Sequence, residues 1–380
     1  MLKRRYPITL QFSLPRYFRV DIVLSYDKRT LSKPRQTRGH MEYELITVEA
    51  TSYEVAEMQD LASQARDYAK LARSGNTNRA YASDWNDFAY WCASKRLNSM
   101  PAMPHTVAVY LADRAGNEWI DQKGKRQTPL KVASLQRRLT AISQAHCLAK
   151  IPFDRRHPDI LQVWKGIRNK NGTAQVCKDP ILLEDLREMI SAVPIEKAGR
   201  PHLLGLRDRA LLLIGFVGAF RRSELVSLHH ADVKFSRDGI VVNLRKSKTD
   251  QEGRGREIAI PYGSNPLTCP VRTLQDWLTA SKIEEGPLFR AINRHGQIKS
   301  SPLTSHAIAL IIKRNDHIGD RKDSFSGHSL RAGFATTAAI AGVPEHVIMK
   351  QTGHKKTDTI KRYIRLGNMW KENAATKIGL

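Results

Sequence analysis

Cysteine is scarce in this chain: Cys92, Cys147, Cys177 and Cys269 are the four in 380 residues. None forms a CxxC pair or sits at a zinc-ligand spacing, which excludes a disulfide framework and a structural zinc site and leaves reduced, cytoplasmic thiols as the expectation. No apolar run approaches the roughly 18 residues that cross a bilayer, so no membrane span or membrane partner is expected. The opening Met1-Leu2-Lys3-Arg4-Arg5 has the charge of a signal peptide's start. Pro7, Gln11, Pro15 and Arg16 break the run behind it, however, and no small-residue cleavage site follows. There is no internal repeat, no GxGxxG and no P-loop, so neither a nucleotide cofactor nor a bound metal is expected. Acidic residues are also in deficit: 37 against 62 Lys and Arg, a net charge of +25 and a pI near 10.1. Such a balance implies a polyanionic partner, nucleic acid ahead of an anionic membrane surface. The basic residues are scattered through helical stretches, which describes a folded binding surface and not a tail.

What is present divides the chain in two. Hydrophobic content of 41% and charged content of 26% allow each part an ordinary core. Residues 1–50 are read as an extension: a tail, a small DNA-binding arm, or a stretch upstream of a start at Met41. Within it Ile8–Phe12 and Phe18–Leu24 alternate as strands do, while Lys28–His40 is polar and basic. Residues 51–170 carry helical periods. Thr51 and Glu54 open the first helix as a capping box, Thr77 caps a second over Asn78–Arg96, a third follows Pro104, a fourth spans Leu130–Leu148, and Pro158 opens a short fifth. This is an all-α domain. Tyr81, Trp85, Phe88 and Trp91 recur at helical spacing and are expected in its core. Arg79, Lys131, Arg137 and Arg138 on the same helices are candidates for contacts to a nucleic-acid backbone.

Residues 169–180 are polar and aperiodic, and a linker is placed at 171–180. Beyond it, 181–380 reads as a mixed, mainly helical domain. Leu182–Val193 and the buried run Leu206–Phe220 are predicted helices. Gly239–Leu244 and Arg256–Ile260 are strands joined by a basic turn holding Lys246 and Lys248. Further helices are predicted at Pro270–Lys282, Leu303–His317, His328–Ile340, Pro344–Gln351, Thr357–Ile364 and Met369–Lys377. In the last, Trp370, Ala374 and Ile378 share one apolar face.

The chemistry concentrates between residues 326 and 363. His328 and Arg331, three apart, share a helix face and could hold one anion between an imidazole and a forked guanidinium. His354 follows a glycine, and Tyr363, nine residues on, is a candidate nucleophile. In so basic a chain, the anion expected is a nucleic-acid phosphate. A second cluster, Arg221-Arg222-Ser223-Glu224, follows the buried run, which could fix one arginine in a cleft with Glu224 orienting it. A lysine on the turn, Lys246 or Lys248, could protonate a departing oxygen.

Arg-x-x-Glu-Leu after a buried helix, Lys in a hairpin, Gly-His-x-x-Arg, Gly-His and then Tyr, in that order, resembles the tyrosine recombinase (phage integrase) family. The likeness covers 176–380. The helical domain before it is similar to that family's core-binding (SAM-like) domain, and Asn78–Trp85 and Tyr363-Ile364-Arg365 are similar to the Cre-like branch. The resemblance implies a mainly α protein with a mixed α+β catalytic domain and a small β-hairpin sheet. It implies a site-specific recombinase that cuts and rejoins double-stranded DNA through a 3′-phosphotyrosine and a Holliday junction, without metal or ATP. Arg221 and Arg331 would clamp the scissile phosphate, Lys248 would be the general acid, and His328 would assist proton transfer or position the phosphate. His354 would donate to a phosphate oxygen, Glu224 would support the site, and Tyr363 would be the nucleophile. Arg222 stands where the family usually has an apolar residue, so which arginine points inward is open, as is Lys246 against Lys248 for the acid.

The resemblance further implies a homotetramer on DNA, closed by exchange of a helix at 369–380, with accessory DNA-bending or directionality proteins as further partners. A nucleoid-associated setting, in a prokaryote or on a phage, plasmid or transposon, goes with it. Base contacts would come from the second and fourth helices and from Thr304, Ser305 and His306. Two rivals stand beside this reading. One is a type IB topoisomerase, which shares the cleavage chemistry. The other is a catalytically silent DNA-binding protein of the same fold.

Overall fold

The computed structural model describes residues 9–11, 21–23, 52–174, 177–245, 247, 250, 253, 255–316 and 324–368. They fall into two compact units, 1–175 and 176–380. Within the first, β1 (Thr9–Gln11) pairs antiparallel with β2 (Asp21–Val23), Thr9 opposite Val23.

Five helices make up most of the remaining described residues of that unit. After α1 (Ser52–Leu71) comes α2 (Gly75–Ser94), whose N-cap is Ser74 and not Thr77: the Ser74 hydroxyl accepts the Thr77 amide at 3.3 Å. The helix therefore begins three residues before the expected Asn78. Proline opens both α3 (Pro104–Gly116) and α5 (Pro158–Asn171), where its missing N–H costs nothing. Between α3 and α4 (Val132–Leu148) lies a ribbon the helical periods did not announce, β3 (Trp119–Ile120) against β4 (Arg126–Gln127). Phe88, Trp91 and Cys92 on α2 meet Val107, Tyr110 and Leu111 on α3, with Leu135 and Ile142 on α4 and Ile160 on α5 closing the core. Trp85 packs at its margin, and Tyr81 is half-buried, with the Arg73 guanidinium 5.8 Å above its ring.

The second unit is mixed. Asp185 accepts the Leu182 amide at 2.9 Å and starts α6 (Leu183–Ala192). A two-residue ribbon, β5 (Glu196–Lys197) with β6 (Arg200–Pro201), leads to α7 (Leu203–Val217). Ala210 through Ile214 are all buried, so this part of α7 is apolar all round and lies in the middle of the domain. The expected helix to Phe220 stops at Val217, because Ala219 turns left-handed (φ 48°) and the chain restarts as α8 (Arg222–Ser227). The sheet has three antiparallel strands, not two, in the order β7 (Val233–Ser236), β8 (Gly239–Leu244), β9 (Arg256–Pro261). Ile240, Val242 and Leu244 alternate inward from β8, opposite Ile258 and Ile260 on β9.

Next come α9 (Pro270–Ser281), whose Trp277 indole donates to the Leu288 carbonyl at 2.9 Å, and a ribbon of β10 (Arg290–Ile292) and β11 (Ile298–Pro302). The last four helices among the described residues are α10 (Ser305–Arg314), α11 (Ser329–Ile340), α12 (Glu345–Thr352) and α13 (Thr357–Asn368). α11 sits so close to the chain at Ile181 that a Cβ on Gly333 would lie 1.7 Å from the Ile181 carbonyl oxygen. A small cluster of its own (Ala335, Ala339, Ile348 and Ile360) joins α11, α12 and α13. The expected helix at 369–380 lies outside the described residues. Among the described residues, no helix is long and apolar enough to cross a membrane.

Candidate active site

The abrupt end of α7 positions the first charged pair. Arg221 is the N-cap of α8, and Glu224, 2% exposed, binds it twice. One carboxylate oxygen accepts the Arg221 amide at 2.9 Å and the other accepts Arg221 Nη1 at 2.5 Å. Glu224 thus starts the helix and aims the guanidinium with one side chain. Arg222 is exposed beside Gly327, so Arg221 is the inward arginine.

Arg331, one turn into α11, is 1% exposed. Its Nη1 donates at 2.6 Å to the carbonyl of Ala219, the residue whose left-handed turn ended α7. Its Nη2 donates to His354 Nε2 at 3.1 Å, and its Nε has no hydrogen-bond partner among the described residues. Burial, with Arg221 next, pulls its pKa down to about 10, which still leaves it charged at neutral pH. His328 caps the same helix and points elsewhere: its Nε2 lies 3.0 Å from the Tyr363 hydroxyl. The two residues expected to share one partner therefore hold different ones, the histidine the phenol and the arginine the main chain and a second imidazole.

Tyr363 reaches this place because Ile360 and Ile364 dock α13 against Ala335, Ala339 and Ile348. The spacing of 360, 363 and 364 puts all three on one helix face. Burial raises the phenol's pKa, opposed by Arg331, so it stays protonated at neutral pH. Beside it is a pocket lined by Cys177, Pro180, Ser326, His328 and Arg362. Arg362 Nη1 donates to Cys177 Sγ at 3.0 Å.

His354 follows Gly353, whose left-handed φ of 67° ends α12. Its Nδ1 is 2.7 Å from the Thr352 hydroxyl, and its ring centroid is 6.2 Å from that of Tyr363. Burial first, then Arg331 and Arg221, pull its pKa down to about 4, so the imidazole is neutral.

A further arginine, not among the expected site residues, completes the cluster. Arg256 on β9 donates from Nη1 to the Gln351 carbonyl at 2.8 Å, and its Nη2 comes within 4.0 Å of Glu224. Its guanidinium lies against Gly353, where a Cβ would meet Cζ at 2.9 Å. The only hint in the sequence was its place in a strand leaving the basic turn, and many arginines of this chain look alike by that measure. Among the described residues, Glu224 is the one carboxylate paired with Arg221 and Arg256, while Arg331 has none. The site carries an excess of buried positive charge, and an anion is what would neutralise it.

The candidate DNA contacts are less uniform. Lys246 and Lys248 lie outside the described residues. Lys131 and His306 are exposed and Ser305 is half-buried, whereas the Thr304 oxygen caps α10 by accepting the Ala307 amide at 3.1 Å. Arg79 is exposed and donates to Asn76 at 2.6 Å on its own helix. Arg137, half-exposed, forks onto buried Asp84 at 2.7 and 3.0 Å. Arg138 corrects the expectation of a surface cation. It is 11% exposed, bound to Asp87 and the Tyr110 hydroxyl, because α2 presents both aspartates to α4. Among the described residues, no cluster of three His, Cys, Asp or Glu could hold a metal.

The profile of the phage integrase family matches residues 184–368. An integrase/recombinase xerD homolog of Selenomonas ruminantium is 38% identical over 324 residues, 84% of this chain and 89% of that protein. The recombinase Cre of Escherichia phage P1 is 25% identical over 342 residues, 86% of this chain and 93% of Cre. A solved XerH site-specific recombinase, in a post-cleavage complex with palindromic difH substrate, has the same fold. Its TM-score is 0.54 at 16% identity, over 78% of each chain.

Proposed function

This chain belongs to the phage integrase family of tyrosine recombinases, and from that premise we propose that it cuts and rejoins double-stranded DNA at specific sites through a 3′-phosphotyrosine and a Holliday junction. The observation that carries the reading is the 3.0 Å contact of the Tyr363 hydroxyl with His328, beside Arg221, Arg256 and Arg331 with a single balancing carboxylate.

Tyr363 is the nucleophile. His328 Nε2 takes the phenolic proton as the oxygen attacks phosphorus, which a phenol held protonated by burial requires. Arg221 and Arg331 neutralise the phosphorane charge, and no metal has to do so. Glu224 keeps Arg221 in register, and Arg256 holds the carbonyl end of α12, hence His354, in place. Lys248, or Lys246 in its stead, protonates the 5′-oxygen as it departs. The ester keeps the energy of the broken phosphodiester, so a 5′-hydroxyl of another strand attacks it without ATP. The partner is double-stranded DNA, on which four protomers assemble, with residues 369–380 as the exchanged helix and accessory proteins setting direction.

The test is incubation of the protein, in EDTA, with fragments tiling the DNA around its own coding sequence. Four-way junctions and exchanged products are the expected result. Relaxation of supercoiled plasmid without exchange would replace this reading by a topoisomerase. Tight, salt-sensitive binding with neither product would replace it by a silent DNA-binding protein.

A further inference from the structure

The hydrogen bonds on either side of His354 determine where its proton is. Thr352, the last residue of α12, is fully buried, and its hydroxyl donates back to the Ile348 carbonyl at 2.8 Å. A hydroxyl has one proton. With that proton committed to Ile348, Oγ1 can only accept from His354 Nδ1, 2.7 Å away. On the far side of the ring, Arg331 Nη2 has protons to give and no lone pair, so Nε2, at 3.1 Å, must accept. Both contacts require the same form of the ring: Nδ1 protonated, Nε2 bare. Burial first, and then the field of Arg331 and Arg221, keeps it neutral.

This form creates a difficulty for the role assigned to His354, since a bare Nε2 cannot donate to a phosphate oxygen. The difficulty disappears if the ring works in two states with Nδ1 unchanged. We propose that Thr352 is a positioning residue that holds His354 as the Nδ1–H tautomer, so that Nε2 alone exchanges partners during the reaction. Before DNA binds, Nε2 accepts from Arg331 and keeps that guanidinium aimed into the site. When the scissile phosphate offsets the arginine charge, Arg331 Nη2 turns to a phosphate oxygen. Nε2 then takes a proton from solvent water and donates to a second phosphate oxygen, while Nδ1–H remains on Thr352. The hydrogen bond made by one ring nitrogen thereby sets the chemistry at the other. The inference rests on the recombinase reading above and adds a residue to it.

Replacing Thr352 by valine keeps the shape and removes the acceptor. Valine leaves the buried Nδ1–H without an acceptor, so the Arg331 bond alone opposes the other tautomer and the ring is no longer held in one form. Serine keeps the acceptor. The test is the two-bond ¹H–¹⁵N spectrum of the full-length protein labelled with ¹⁵N-histidine, near pH 7 and without DNA, with His354→Gln identifying the resonances. Cleavage rates on nicked DNA are measured alongside.

Wild type and Thr352→Ser should show a protonated Nδ1 and a bare Nε2 and cleave at similar rates. Thr352→Val should show the two tautomers in exchange and cleave about 10–100-fold more slowly, with DNA affinity unchanged within about twofold. A wild-type His354 protonated at Nε2 would overturn the proposal, as would a valine variant that keeps both tautomer and rate, or a serine variant that behaves like valine. If the valine variant does not fold, the wild-type spectrum and the serine variant decide the matter. A wild-type protein with the stated tautomer but no DNA cleavage would overturn the recombinase reading, and the phosphate step with it.

Discussion

Glu224 has the most to lose at the scale of single residues. It is buried, and it faces Arg221 and Arg256 at once. Glu224→Gln keeps an acceptor for the Arg221 amide and removes the charge between the arginines. We expect a loss of about 1–3 kcal/mol in a urea melt, and a drop in cleavage larger than the drop in DNA binding. His354 supplies a pH signature. Its folded pKa of about 4 lies below the ordinary 6.5, so between those values the unfolded chain binds a proton that the folded chain does not. Its contribution is therefore complete above pH 6.5 and is lost as pH falls toward 4, with a slope of at most about 1.4 kcal/mol per pH unit. His354→Gln should flatten the stability profile in that window, measured as the difference from wild type. An unchanged slope would mean the ring is not held neutral. Arg331, His328, His354 and Tyr363 were legible because glycines and fixed spacings mark them, while Arg221 and Arg222 could be told apart only by the fold, which exposes Arg222 and ties Arg221 to Glu224. Arg256 and Thr352 were not. A strand arginine and a helical threonine acquire meaning only once the β9–α12 packing brings them to the carbonyls of α12 and to an imidazole.

Among the elements, α11 carries most of the site, and its seat depends on Gly333. A methyl there would run into the Ile181 carbonyl, which is main chain and cannot rotate away. Gly333→Ala should cost about 1–3 kcal/mol or more by displacing α11 from Ile181, and it should depress cleavage beyond that, since Arg331 and His328 travel with the helix. Denaturant midpoints with single-turnover cleavage would check both effects. The helices were readable from apolar period and caps, and the misses are instructive. Apolar composition carried the reading of α7 through to Phe220, where one left-handed alanine ends it at Val217. Ser74 caps the helix by accepting the Thr77 amide, which places Thr77, expected as the cap, inside the first turn. β7 and the β3–β4 ribbon are too short for alternation to register, and only pairing with neighbours defines them.

For the whole molecule, the net charge of +25 is the dominant fact. DNA affinity should fall linearly on a log–log plot against salt, each neutralised phosphate contributing about 0.9 to the slope. Arg137→Ala and Arg138→Ala should differ in kind. Arg138→Ala leaves Asp87 and Tyr110 buried with a partner lost, so it should reduce stability first and binding only through stability. Arg137→Ala exposes Asp84 and should do both.

The most direct test of the account is covalent trapping. Nicked duplexes that carry the protein's own site are incubated with it in EDTA and resolved under denaturing conditions, and the adduct is mapped by mass spectrometry. The expected result is a protein–DNA adduct on Tyr363 that disappears in Tyr363→Phe while DNA binding persists. An adduct that survives that substitution, or none on a site the protein binds tightly, would contradict it.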